Sequence, residues 1–186
     1  DYHVDVSKED LITFTKHIST LPEGFEVHKS IMRILKQRLS ISNEERPLDW
    51  GMAEMLAYAV LLSQGHSIRL NGQDAQRGTF SHRHAILSNI NDDDSEHNVL
   101  SSVSASNASF DVFNSILSEQ GVLGFEYGYS QADPKTLVIW QAQFGDFANG
   151  AQIMIDQFIS SGERKWLRMS GLTLLLPHGH EGQGPE

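Results

Sequence analysis

The chain has 186 residues and a mass of 20.8 kDa, enough for one domain with a packed core and a short additional segment. Its formal net charge of −10 argues against nucleic acid as the main partner, because phosphate backbones are bound by basic surfaces. The absence of cysteine excludes disulfides, thiolate catalysis and zinc–thiolate sites. No apolar run approaches the roughly 20 residues that span a membrane, so we expect neither a nucleic-acid nor a membrane partner.

Both ends of the sequence suggest a piece of a longer protein. The N-terminus, DYH, has neither an initiator methionine nor a signal-peptide pattern. The C-terminus, GQGPE, directly follows a predicted strand and loop. We therefore expect an internal, C-terminally truncated segment.

Residues 1–46 predict a helical arm. A capped helix is expected over 7–21, because Ser7 and two acidic residues precede apolar residues at helical spacing. A second amphipathic helix is predicted over 27–39, and the polar residues 40–47 predict a linker.

Residues 47–186 predict an α/β domain. Apolar patterns and breakers predict helices over 52–62, 118–132 and 151–161, strands over 67–70, 110–113, 137–140 and 172–176, and a polar loop over 88–109 with an acidic tip at 91–94. The strands are apolar without alternation, which is typical of a parallel sheet covered by helices on both faces. Ligands of such folds bind beyond the carboxyl ends of the strands. That rule places NGQD (71–74), QAQFGDF (141–147) and PHGHEGQG (177–184) on one rim.

Glu119 follows the predicted helix cap Ser118, where an acidic residue can simply complement the helix dipole. The glycines at 121, 124 and 128 each cost about 1 kcal/mol relative to alanine inside a helix. Their presence indicates close packing against a backbone or a ligand, which favours a functional role for Glu119.

Phe144 and Phe147 flank a Gly-Asp pair between a strand and a helix. They fit two interpretations about equally: aromatic core residues at the top of a sheet, or a stacking face for a planar ring.

His178, His180 and Glu181 resemble metal ligands by type, but their spacing does not match a helical zinc motif. A histidine-bearing loop that contacts an anionic substrate is the better interpretation, and we predict no metal site in this chain.

Arg77, His82, Arg83 and His84 form the densest cationic segment. It is consistent with a solvated loop, a carboxylate-binding patch or a subunit contact. His82 and His84 would point to opposite sides of an extended segment, so we expect only one of them to face a site.

Several long segments resemble the E1 component of the 2-oxoglutarate dehydrogenase complex, a thiamine-diphosphate enzyme family. The resemblance covers nearly the whole chain apart from residues 86–109, and also includes LPEGFEVH (21–28). It rests on RPLDWGMAE (46–54), QRGTFSHRH (76–84), LSEQGVLGFEYGYS (117–130), WQAQFGDFANGAQIMIDQFISSGERKW (140–166) and LLLPHGHEGQGPE (174–186).

The resemblance implies a pyrimidine-binding domain in which Glu119 protonates N1′ of the aminopyrimidine ring of thiamine diphosphate. By the same resemblance Phe147 stacks on that ring, with Phe144 beside it, and His82, His84 and His178 are substrate-side candidates. The family's GDG…N motif, which binds Mg²⁺ and the diphosphate, is absent here and is expected in a preceding domain. The family's histidine after GPE would also lie beyond Glu186, so the isolated chain should not turn over.

The implied partners are a 2-oxo acid substrate, the lipoyl domain of E2 and a second subunit that completes the cofactor site in a homodimer. The implied location is a bacterial cytoplasm, or the mitochondrial matrix for a eukaryotic source. Two alternatives remain: a sister E1 that acts on 2-oxoadipate or another 2-oxo acid, and a folded interaction domain without catalysis when isolated.

Overall fold

A computed structural model describes residues 6–179, apart from the side chain of Asp93. Its helices and strands are, in chain order, α1 (Lys8–Ile18), α2 (Lys29–Ser42), α3 (Trp50–Ser63), β1 (Ile68–Gly72), β2 (Ile86–Asn89), β3 (Asp92–Asn98), β4 (Phe110–Asn114), α4 (Glu119–Ala132), β5 (Leu137–Gln141), a 3-10 helix (Gly145–Ala151), α5 (Gln152–Met154), a π-helix (Ile155–Ile159), α6 (Gly162–Trp166) and β6 (Thr173–Leu175).

The chain forms two compact units. The first comprises residues up to 65 together with 81–109, and the second comprises 66–80 together with the residues from 110 onward. The boundaries of these units differ from the predicted division into a helical arm, 1–46, and an α/β domain, 47–186. That division stays a prediction. No helix within residues 6–179 is long and apolar enough to cross a membrane.

Side-chain caps start two helices of the first unit, α1 and α3, and α2 and α3 begin two residues away from their predicted starts. The Ser7 hydroxyl accepts a hydrogen bond from the Asp10 backbone N–H at 3.0 Å, and Asp10 accepts one from the Ser7 N–H at 3.1 Å, which is a capping box. The Asp49 carboxylate caps α3 by accepting from the Met52 N–H at 2.8 Å. Because α2 extends to Ser42, the predicted linker is shorter than 40–47.

The prediction of a polar loop over 88–109 is wrong at its start. Strands β2 and β3 pair in an antiparallel hairpin, with Leu87 opposite His97 and Asn89 opposite Asp92. The supposed acidic tip therefore lies largely within β3. The strand could not be predicted because Asp and Asn have low β-propensity. The hairpin is stabilised instead by burial of Leu87 and Val99, which are 3% and 1% exposed.

The second unit contains the predicted parallel sheet, in the order β4-β1-β5-β6, with every neighbouring pair parallel. Val138, Ile139, Trp140 and Gln141 of β5 are all buried, so both faces of that strand are covered. Helix α4 packs on β1 and β5. Its Val122 and Leu123 share a core cluster with Trp140, Ala142 and Ala151. The α/β fold with a helix-flanked parallel sheet is confirmed.

The single helix predicted over 151–161 is wrong, because the segment changes helical geometry several times. The 3-10 helix passes through α5 into a π-helix, and α6 follows from Gly162. In the π-helix the Ser160 N–H donates to the Ile155 carbonyl at 2.9 Å, and the Ser160 hydroxyl donates to the same oxygen at 2.9 Å. This side-chain competition for a helical carbonyl favours a local departure from α geometry.

The strand order creates a topological switch point beside β1. The chain reaches β4 on one side of β1 and places β5 and then β6 on the other side. The carboxyl ends of β1 and β5 therefore flank a crevice of the kind that binds ligands in open α/β sheets.

The loops at this crevice are tied together. The Gln143 amide donates to Asp74 Oδ2 at 3.1 Å, and the Thr79 hydroxyl donates to the Gln143 carbonyl. The Gly145 N–H donates to the Pro177 carbonyl at 2.8 Å. Within residues 6–179, the prediction that three loops share one rim is confirmed.

Candidate functional site

Glu119 opens helix α4 at the rim of the sheet. The Ser118 hydroxyl caps the helix by accepting from the Gly121 N–H at 3.3 Å. Glu119 is half-buried, and its carboxylate makes no hydrogen bond to any residue of the described chain. A Cβ built on Gly150 would lie 3.2 Å from Glu119 Oε2. The carboxylate therefore lies against the 3-10 helix, where the absence of a side chain makes room for it.

Two aromatic rings lie at the start of the 3-10 helix. Residues three apart in a 3-10 helix eclipse each other, so Phe147 and Gly150 project in the same direction, while Phe144 is the extended residue that caps the helix. Both rings are half-buried and meet edge to face, with centroids 5.7 Å apart. The sequence left their role open, and their part in a site stays a prediction.

Phe80 contacts Phe144, so that Phe80, Phe144 and Phe147 form an aromatic row. The sequence analysis did not predict Phe80 as part of it. Its ring centroid lies 6.1 Å from that of Phe144, edge to face, and it is 42% exposed. The only local signal is an aromatic residue in a polar loop directly after β1, at the carboxyl end of a strand.

His178 lies over the start of the 3-10 helix. A Cβ built on Gly145 would lie 2.0 Å from the imidazole Cε1, so any residue with a side chain at 145 would displace the ring. His178 Nδ1 lies 2.8 Å from the Leu176 carbonyl. A carbonyl only accepts, so Nδ1 donates, and Nε2 of the exposed ring makes no hydrogen bond to a described residue.

His82 and His84 belong to the first unit. Burial, followed by the neighbouring Arg83, lowers the pKa of His82, and His84 is buried with a φ of 44°. Their role toward a substrate stays a prediction.

Of the three interpretations of Arg77, His82, Arg83 and His84, the solvated loop is wrong for Arg83 and His84, which are buried, and the other two stay predictions. Arg83 is 0% exposed and its Nε donates to Glu54 at 2.6 Å. Arg77 belongs to the second unit and pairs with Asp74 at 2.9 Å. The Glu54 carboxylate offsets part of the cost of removing the Arg83 charge from water.

Sequence reasoning also missed a buried ionic cluster on α4. The carboxylate of Glu126 is 0% exposed and accepts from Arg69 Nε at 2.8 Å, Arg69 Nη2 at 3.0 Å and Asn71 Nδ2 at 2.7 Å. A glutamate on the apolar face of a helix, seven residues after Glu119, is the available signal. Its partners could not be inferred because they lie 57 and 55 residues away.

Metal ligands do not converge in the part of the chain that the structure describes. Residues 6–179 contain no group of three or more histidine, aspartate or glutamate side chains that could hold a metal ion. His180 and Glu181, considered above as metal-ligand types, lie outside the described residues. The described site thus offers a carboxylate, three aromatic rings and an exposed imidazole.

Comparison with known proteins shows the family to which this chain is similar. Residues 46–186 match the family model of the transketolase pyrimidine-binding domain. The 2-oxoglutarate dehydrogenase E1 component of Haemophilus influenzae is 54% identical over 185 residues, which are 100% of this chain and 20% of that protein. The E1 component of Cupriavidus necator is 54% identical over 95% of this chain and 19% of that protein.

This chain therefore spans about one fifth of the length of the curated relatives it matches. The resemblance to 2-oxoglutarate dehydrogenase E1 components is confirmed, and the chain belongs to the transketolase pyrimidine-binding domain family.

Proposed function

We propose that this chain supplies the aminopyrimidine half of a thiamine diphosphate site in the E1 component of a 2-oxoglutarate dehydrogenase complex. The full-length protein would decarboxylate 2-oxoglutarate oxidatively and pass the succinyl group to the lipoyl domain of E2. The supporting observation is the Glu119 carboxylate, which lies against Gly150 of the 3-10 helix that also carries Phe147.

The residues present fit an aminopyrimidine. The Glu119 carboxylate has no hydrogen-bond partner in the described chain, so it can accept from a protonated ring nitrogen or, when it is itself protonated, donate to the lone pair of that nitrogen. The aromatic row offers a face for a flat heterocycle. When bound, thiamine diphosphate supplies the electron sink for decarboxylation of a 2-oxo acid.

Glu119 holds and exchanges a proton at the ring nitrogen N1′. Its place in the first turn of α4 stabilises the ionised carboxylate through the helix dipole, so the side chain can release as well as hold that proton. Phe147 orients the ring by stacking, and Phe144 walls the pocket beside it. Because Gly150 has no side chain, the Glu119 carboxylate can lie directly against the 3-10 helix.

His178 is proposed on the substrate side, because its ring is exposed at the rim and only its Nδ1 is engaged by a described residue, through the Leu176 carbonyl. His82 and His84 are proposed as further substrate-side residues on the basis of the family resemblance. A 2-oxo acid carries a carboxylate and a carbonyl, so these rings would act as donors when protonated.

The remaining parts of the site are assigned outside this chain. We propose that another domain holds the diphosphate and Mg²⁺, since the GDG…N motif is absent from the sequence. In the full-length enzyme that domain would come from the second subunit of a homodimer. The close relatives are bacterial proteins, which supports a cytoplasmic location. The names of the relatives favour 2-oxoglutarate over 2-oxoadipate.

The test is Glu119→Gln in the full-length protein that contains this chain. Glutamine keeps the shape of the side chain but cannot exchange the proton, so we expect kcat with 2-oxoglutarate to fall about 100-fold or more, the scale of losing one stabilising group. The KM for 2-oxoglutarate should change little. Parallel assays with 2-oxoadipate would identify the substrate.

Gln120→Ala is the matched control, because Gln120 is the exposed neighbour in the same helical turn. It should retain wild-type kcat. Near-normal turnover by Glu119→Gln would remove Glu119 from the proposed role, and no 2-oxo acid turnover by the wild type would support the non-catalytic interaction domain.

A further inference from the structure

We propose that Arg69 and Glu126 form a buried anchor that sets the position of Glu119, and that both act as positioning residues for the reaction. The inference rests on the proposed function, in which Glu119 contacts the cofactor. It concerns two side chains that the sequence did not single out.

Glu126 and Glu119 lie on one face of α4. Seven residues turn an α-helix through almost two full turns, so the two side chains are offset by only about 20° and separated by about 10 Å along the axis. Val122, Leu123 and Tyr127, which are buried, lie on or beside the same face. A rotation of α4 at Glu126 therefore moves the Glu119 carboxylate in the same sense.

The Glu126 carboxylate is held by a set of three hydrogen bonds. Arg69 donates from Nε and Nη2 to its two oxygens, and Asn71 donates to Oε1. Bidentate pairing fixes the plane of the carboxylate as well as its distance. Because Arg69 and Asn71 both belong to β1, these bonds tie α4 to the strand whose carboxyl end opens the crevice.

Arg69 itself is restrained from two further directions. The centre of its guanidinium lies 4.5 Å from the ring centroid of Phe113 on β4, 4.6 Å from that of Tyr129 and 5.3 Å from that of Phe125, both on α4. A planar guanidinium stacks on rings and donates in its plane at the same time. One side chain thus links β1, β4 and α4.

The contacts of α4 with the residues after β5 leave little room for adjustment. A Cβ on Gly124 would lie 3.1 Å from Met154 Cε, and a Cβ on Gly150 would lie 3.2 Å from Glu119 Oε2. The helix is therefore seated closely against the residues that follow β5. A shift of about 1 Å in a reacting group can cost about 100-fold in rate, so loss of the anchor should be visible in catalysis.

The experiment is the double variant Arg69→Met/Glu126→Leu in the full-length enzyme. Removing both partners leaves no stranded charge, and such replacements commonly preserve the fold. We expect kcat to fall tenfold or more and the apparent affinity for thiamine diphosphate to weaken, with the KM for 2-oxoglutarate within twofold of wild type. Arg69→Lys keeps the charge but loses the bidentate geometry. The kcat of this single variant should therefore recover less than half of the difference between the double variant and wild type.

Ser130→Ala is the matched control on the same helix. The Ser130 hydroxyl lies 2.7 Å from the Ser170 hydroxyl and donates to the Tyr127 carbonyl at 2.7 Å, and its loss should lower Tm but not kcat. A folded double variant with wild-type kcat and wild-type affinity for thiamine diphosphate would overturn the proposal.

Glu126→Gln decides the question if the double variant does not fold. Glutamine keeps the shape and can still accept from Asn71, so a kcat at least threefold below wild type supports the anchor and an unchanged kcat overturns it. The proposed function and the anchor can fail separately. Full activity in Glu119→Gln defeats the proposed function, whereas loss there combined with full activity in the anchor variants defeats the anchor alone.

Discussion

Each compact unit contains one buried arginine–glutamate pair, and the two pairs bury opposite charges. In the first unit Arg83 is 0% exposed, while the side chain of its partner Glu54 is 22% exposed. In the second unit Glu126 is 0% exposed, while Arg69 is 15% exposed. The fully buried member is therefore the cation in one unit and the anion in the other.

This difference determines how each unit responds to a lost partner. A stranded carboxylate can take up a proton and become neutral. A stranded guanidinium cannot lose its proton in a protein. The first unit should therefore be less tolerant of a broken pair than the second, and only the second should be rescued by acid.

Glu54→Leu is expected to have the largest effect on stability. It leaves the Arg83 charge in a buried position without its carboxylate, which typically costs about 3–5 kcal/mol. The free energy of unfolding from urea denaturation, followed by far-UV circular dichroism, measures the loss. The loss should be similar at pH 7 and pH 5. A loss that shrinks at pH 5 would contradict the distinction between the two pairs.

Arg69→Met should cost about 3 kcal/mol at pH 7, at the lower end of the same range, because Asn71 still donates to Glu126. The folded state would then bind a proton that the unfolded state does not, so stability relative to wild type rises as pH falls. The same denaturation at pH 7, 6 and 5 should show the deficit shrinking. A constant deficit would mean that the Glu126 site stays ionised, and Arg69→Met/Glu126→Leu, which lacks the carboxylate, should show no such pH dependence.

A smaller effect should come from the histidines of the first unit. Burial lowers the pKa of His82 and of His97. Just below the ordinary histidine pKa of about 6.5, the unfolded chain binds protons that the folded chain does not, so stability falls as pH drops through that range. His82→Gln should reduce the slope of unfolding free energy against pH between 7 and 5, and His82→Gln/His97→Gln should reduce it further. An unchanged slope in the double variant would assign the acid sensitivity to other groups.

Elements that are specified by signals within a few residues could be predicted from the sequence, and elements that depend on distant contacts could not. The cap at Ser118 and the apolar strand 137–140 are local signals, and the structure confirms both the start of α4 and the strand β5. The hairpin of β2 and β3 was not predicted, because polar strand residues carry no local strand signal. The change of helical type after Gly145 was not predicted either, because it depends on competing hydrogen bonds to single carbonyls.

The candidate site was predicted residue by residue, but its geometry was not. Sequence motifs pointed to Glu119, Phe147 and His178. Only the fold shows that Gly150 makes room for the carboxylate and that the His178 ring lies over Gly145. Phe80 was missed because its neighbour Phe144 is distant in sequence and joins it only where two strands end side by side.

By itself, the sequence determined the family, the parallel α/β class and the carboxylate that opens α4, since caps, apolar runs and motifs act over a few residues. The tertiary structure alone decided which charges are buried and what holds them. Arg69 and Glu126 are 57 residues apart in sequence, and a charge can leave water only where folding brings a partner of matching geometry to it.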